Sequence, residues 1–202
     1  MLYFITEIML IVAFLLAERI EKKQNLLLWI PVSVVGYECY SCLVTGVLTI
    51  LHISASIYSV GLVNVLLSLL LFGFIYKKRG LQKYYIKCED GFFLFIYAFI
   101  MVCVCVNRFG TDMRICFETS DPGTHLKLAM NFVNNKAVDG MYVGQVTNGL
   151  FIEGMQTFFK GVDVYKSFII KYCINFLISG WMFFSAASLY TGKKTEKCFA
   201  YI

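Results

Sequence analysis

The residues able to do chemistry in this sequence gather between positions 114 and 148. Arg114, Glu118, Asp121, His125, Gln145 and Asn148 stand there, in a chain of which only 15% is charged. Pro122 follows Asp121 directly. Asp accepts backbone N–H bonds at a helix N-cap and Pro fits the first helical position, where no donor is needed, so the pair predicts a helix start. His125 follows one helical turn later on the same face. A carboxylate with a second acid, Glu118, and a His can act as a general base, or can hold a hard divalent cation beside a phosphate. The helix N-terminus adds free N–H groups and a partial positive charge, which favour an anionic group nearby. Plainer roles stand beside these: Asp121 as a simple cap worth about 1 kcal/mol, His125 as a packed or interfacial side chain, and Glu118 as a solvated acid.

Two amphipathic helices are expected to position these groups. In the first, Leu126, Met130 and Val133 recur with Leu128 and Phe132 beside them, and Lys127, Asn131 and Asn134 take the other face. It is expected to end near Asn134 and Asn135, before the Asp139-Gly140 turn signal. The second covers 149–160, where Phe151, Met155, Phe158 and Phe159 recur at helical spacing around Glu153 and Gln156. It is expected to lie along the outer membrane surface with its aromatic face among the headgroups. Between the two, "MYVGQVTNG" reads as a flexible polar loop. Gln145 and Asn148 from this loop join His125 and Arg114 as substrate-binding candidates. Gly161 breaks the second helix, and Asp163 is placed to cap the segment that follows.

The frame for this segment is a membrane. The chain is 59% hydrophobic with two Pro, and its long apolar runs approach or exceed the ~20 residues that cross the hydrocarbon core as a helix. Barrel strands would alternate polar and apolar residues, which these runs do not. The predicted fold is therefore all-α, a polytopic transmembrane bundle with spans at Leu2–Ala17, 26–51, 53–76, 91–106 and 164–190. Residues 1–106 hold four N-terminal helices, 107–163 the long outer loop with its surface helices, and 164–202 the fifth span and a tail. Apolar residues resume at Cys198, as in a chain that continues. The first span has no Lys or Arg ahead of its apolar core, unlike a cleaved signal, and reads as a retained helix.

Orientation follows from the basic segments: Arg19, Lys22 and Lys23; Lys77, Lys78, Arg79, Lys83 and Lys87; Lys193, Lys194 and Lys197. The positive-inside rule makes these cytoplasmic, with the N-terminus and 107–163 outside, in an inner or plasma membrane. The net charge of +5 then reflects topology and anionic inner-leaflet lipid, not nucleic acid.

Polar residues inside spans carry their own expectations. Glu38 lies about 18 Å deep at 1.5 Å per residue and needs a partner or a proton, as an interhelical hydrogen bond or a functional relay. Tyr37, Tyr40 and Ser41 are its local candidates. Glu7 is expected at the interface, and Lys166 and Lys171 are expected to snorkel outward. Cys39 and Cys42 have redox-pair spacing but sit mid-helix, as packing residues. Gly36, Gly46, Gly61 and Gly73 are expected to permit close helix packing.

An outer-loop acid at the head of a surface helix, here Asp121-Pro122, His125 and Ala129 with Phe132 in the apolar tail, resembles the first outer loop of GT-C type glycosyltransferases. These polytopic enzymes use polyprenyl-phosphate-linked sugars, and the oligosaccharyltransferase catalytic subunits among them carry a comparable Asp-Pro helix start. The likeness covers about 110–140 and the flanking spans. It implies sugar transfer in cell-envelope glycan synthesis. Asp121, with Glu118, would be the catalytic or metal-associated acid, Mg or Mn the cofactor, and Arg114 with the helix N-terminus would steady the donor phosphate. Family members have more spans, so the resemblance implies a front portion that needs partner helices for activity. The residues also admit a non-catalytic membrane module, part of a transporter or a scaffold, in which Glu38 is the informative residue and Asp121 only a cap.

Overall fold

A computed structural model describes residues 2–17, 23–78, 83–111, 121–134, 145–159 and 161–191. In chain order the elements are α1 (Leu2–Ala17), β1 (Lys23–Asn25), α2 (Leu26–Ile50), α3 (Ile57–Lys78), β2 (Lys83–Tyr85), α4 (Cys88–Phe109), α5 (Asp121–Val133), α6 (Gln145–Phe158) and α7 (Val164–Thr191). The architecture is an all-α bundle. Helices α2, α3, α4 and α7 are long and apolar enough to cross a membrane, and α1 is a shorter apolar helix packed along α2 and α3. The protein is thus a multi-pass membrane protein.

Local chemistry explains the helix ends. Asn25 caps α2 by accepting from the Leu27 N–H at 3.3 Å. The α2–α3 turn closes with the Ile53 N–H on Leu48 O (2.9 Å) and the His52 N–H on Thr49 O (3.0 Å). That pair of bonds is a Schellman motif, and it holds His52 at φ 57°, a left-handed position usually given to Gly. Ser56 and Ser59 cap α3 reciprocally, each hydroxyl accepting from the other's backbone N–H, at 2.9 and 3.4 Å. At α7, Asp163 Oδ1 accepts from the Lys166 N–H at 2.7 Å, the cap its position predicts.

Pro31 lies inside α2 and cannot donate to the carbonyl four residues back, that of Leu27. The Trp181 indole N–H from α7 fills that gap, donating to Leu27 O at 2.6 Å. The helix irregularity thereby becomes an interhelical clasp. Buried hydroxyls in the spans find local acceptors in the same spirit: Ser33 donates to Trp29 O, Thr45 to Ser41 O and Ser68 to Asn64 O.

At one end of the bundle β1 and β2 pair in parallel, Lys23 opposite Lys83. Asn25 Nδ2 donates to the buried Asp90 Oδ2 at 2.7 Å, and Tyr84 OH donates to Leu15 O at 2.9 Å. Two of the basic segments thus share one end, as alternation of spans requires.

The outer-segment helices differ from the surface helices expected. Phe132 from α5 and Val146 and Leu150 from α6 join Leu10, Tyr37, Val44 and Val60 in one core. Leu126, Ala129 and Ile152 join Phe168 of α7 in another. Helix α6 starts at Gln145 rather than 149, so Gln145, Thr147, Asn148 and Gly149 are helical and buried, not a flexible loop. Packing against α5 overrides the polar, Gly-containing local sequence. A Cβ at Gly149 would stand 2.8 Å from Phe132 Cδ1 and 2.9 Å from Ala129 O, so this glycine sets the α5–α6 approach. Gly180 is also tight, since a Cβ there would overlap the Tyr97 hydroxyl. Gly36, Gly46 and Gly73, expected at close crossings, have nothing within 4 Å of such a Cβ.

Candidate functional site

Three of the four substrate-binding candidates come together. Asn148 Nδ2 donates to Gln145 Oε1 at 2.7 Å, and Gln145 Nε2 lies 2.8 Å from His125 Nδ1. In this orientation the Gln145 amide donates, Nδ1 accepts, and the imidazole proton sits on Nε2. Gln145 and Asn148 are buried and His125 is half-buried, so the amides act as a mount for the ring. Arg114 and Glu118 lie outside the described residues. Asp121 begins α5, but its side chain also lies outside them.

Helix α5 presents a different face to α7. Between them opens a cleft of about 400 Å³ lined by Gly123, Leu126, Lys127, Met130, Val164 and Tyr165. The lining residues are apolar apart from Lys127 and Tyr165, and the cleft borders the first turn of the helix that Asp121 starts. Among the described residues no group of three or more His, Cys, Asp and Glu side chains is placed to hold a metal ion. Asp121, where a Mg or Mn ion is expected, has its side chain outside the described residues.

A second polar centre lies inside the bundle. Lys171 Nζ of α7 donates to Glu38 Oε1 of α2 at 2.6 Å, which supplies the partner that the depth of Glu38 demands. The Lys171 side chain is 6% exposed and that of Glu38 26%. Lys171 therefore does not snorkel outward; it turns inward to the acid, with its ammonium 5.7 Å from the centre of the Phe151 ring of α6. Phe151, expected among headgroups, faces this cation instead.

Glu7 is also inside, not interfacial: it is 5% exposed. Tyr37 lies beside its carboxyl, and Lys171, Glu38 and Glu153 are the charges around it. Glu7 Oε2, the Tyr37 hydroxyl and Ser41 Oγ have no hydrogen-bond partner among the described residues. Helices α1, α2, α6 and α7 each bring a charged or hydroxyl side chain to this point, and α3 packs into the adjoining core through Ile57 and Val60. Glu7, Glu153 and Lys171 were not identifiable as a group from sequence. The one available signal was that each is an ionisable residue in an apolar helix, which is costly unless partnered.

Cys39 is exposed and Cys42 half-buried, and both are free thiols. On α4 and α7, Cys105 and Cys173 line an apolar cleft of about 190 Å³.

The chain matches no protein-family model, no curated protein and no solved structure.

Proposed function

We propose that this membrane protein receives a lipid-linked, sugar-bearing substrate at the end of the bundle where α5 and α6 dock, as the front portion of a GT-C type glycosyltransferase does. The observation that carries this reading is the apolar cleft between α5 and α7, with Lys127 on its wall and Asp121 at the start of the adjoining helix. An isoprenoid chain suits the apolar lining, and a phosphate suits an ammonium and a helix N-terminus.

In this reading Asp121, with Glu118, takes the proton of an acceptor hydroxyl as its oxygen bonds to the anomeric carbon. The bond from that carbon to the phosphate oxygen breaks, and Arg114 with the α5 N-terminus steadies the phosphate that leaves. His125, held through Gln145 and Asn148, belongs to the substrate-binding face of α5 in this reading. A divalent ion bound at Asp121 would add positive charge beside that phosphate. Helix α4 leaves much of its apolar surface uncovered, including Phe92, Phe95 and Phe99, as a span does that faces lipid or further helices.

Asp121→Asn in the full-length protein, assayed with a polyprenyl-phosphate-linked sugar in reconstituted vesicles, is expected to abolish transfer at unchanged expression. Unchanged transfer rejects the reading.

A non-catalytic module, such as part of a transporter, is favoured by a separate observation, the part-buried Glu38–Lys171 pair. Under that reading Glu38→Gln alters solute flux in vesicles, and unaltered flux rejects it.

A further inference from the structure

The interior charges do not balance. Lys171 offsets Glu38 at 2.6 Å, which leaves Glu7, 95% removed from solvent, without a cation of its own among the described residues. Leaving a second carboxylate ionised in that setting is expensive, because an isolated buried charge costs far more than its neutral form. No group of metal-ligating side chains is available among the described residues to bring in a divalent ion. The smallest cation that solves the problem is a proton.

We propose that the Glu7 carboxyl is a proton-binding site inside the bundle, with Lys171 as the counter-cation it shares with Glu38 when the proton leaves. Geometry supplies each part. The Glu7 Oε2 atom is unpartnered among the described residues, and so is the hydroxyl of Tyr37, 1% exposed and next to the carboxyl. A carboxylic O–H on Glu7 can donate to that hydroxyl and a carboxylate can accept from it, so a small approach of the two side chains serves either protonation state. Ser41 Oγ, one helical turn further along α2 and also unpartnered among the described residues, extends the hydroxyl path. On release, the Glu7 O–H bond breaks, the electron pair stays on the carboxylate, and the proton passes to water, for which Glu38, the most exposed of the interior pair, marks the exit.

The ionisable groups around Glu7 come from three packed elements: Tyr37 and Glu38 of α2, Glu153 of α6 and Lys171 of α7. Helix α3, packed along α1, buries no ionisable side chain among its described residues. Two acids oppose loss of the proton and one ammonium favours it. Proton binding at Glu7 does not depend on the identity of any substrate.

Infrared difference spectroscopy of the full chain in lipid bilayers, stepped in pH, tests it. A protonated carboxylic carbonyl band that vanishes as pH rises is expected in the wild type, missing in Glu7→Gln and shifted in frequency in Glu7→Asp. Lys171→Met is expected to raise the midpoint of its loss by about 1 pH unit or more, since an opposite charge has been removed. Absence of a pH-dependent carboxylic band in the folded wild type overturns the proposal, as does a band unchanged by Glu7→Gln. If Glu7→Gln does not fold, Glu7→Asp decides: a band left at the wild-type frequency belongs to another residue.

Discussion

Replacing Lys171 by Met should cost the protein more than replacing Lys171 and Glu38 together. At 2.6 Å the attraction between the two charges is about 6 kcal/mol at an effective dielectric of about 20. Desolvation of a lysine that is 6% exposed offsets much of that gain. Removing the lysine alone forfeits the attraction and strands Glu38, and truncating one partner of a fully buried pair costs about 3–5 kcal/mol. Glu38 retains 26% of its exposure, so the low end applies, about 3 kcal/mol. Lys171→Met with Glu38→Gln removes both charges and keeps the volume, and should cost about 1 kcal/mol or less. Glu38→Gln alone strands the more buried lysine and should also cost about 3 kcal/mol, so the coupling in a double-mutant cycle is about 5 kcal/mol. Thermal unfolding in detergent micelles, followed by loss of the monodisperse peak in size exclusion, measures the order. For a chain of this length, about 3 kcal/mol corresponds to roughly 6–12 °C in Tm. A double variant as unstable as the sum of the single ones refutes the pairing.

Trp181→Phe should destabilise by about 1–3 kcal/mol, because the Leu27 carbonyl loses its donor next to Pro31. Pro31→Ala in that background restores a backbone N–H and should recover part of the loss, measured by the same unfolding assay. Gly149→Ala should cost about 1–3 kcal/mol by forcing α5 and α6 apart. Pairing it with Phe132→Leu relieves only the side-chain half of the clash, since Ala129 O is backbone, so a full rescue would show that the helices do not cross as closely as described.

Residues whose role is set by local sequence were legible in advance. The predicted bounds of α1 match the helix, Asp163 caps α7, and Asp121-Pro122 marks the start of α5. Spans read as apolar runs become helices because the backbone must satisfy itself in lipid, whatever it packs against. Roles set by distant partners were not legible. Glu38 announced that it needed something, but nothing in its neighbourhood pointed to Lys171, 133 residues away. Glu7 near the start of a short helix and Lys171 near the start of a long one look like interfacial residues until α6 is seen to cover them. Helix α6 itself was misread at its first turn because Gln145, Thr147 and Asn148 are polar and Gly149 is flexible. Their helical state comes from burial against α5 and a hydrogen bond to His125, both tertiary. The glycines divide the same way: only a neighbour's position makes Gly149 and Gly180 tight while Gly36 and Gly46 stand in open space.

Substrate handling at Asp121 requires the α5–α6 pair to sit on the side of the membrane where lipid-linked sugars are presented, away from the basic segments. A single cysteine at position 121 in an otherwise cysteine-free protein, treated in intact cells with a membrane-impermeant maleimide, measures this directly. Labelling from outside without permeabilisation is the predicted result. Labelling only after the membrane is opened would place Asp121 in the cytoplasm and contradict it.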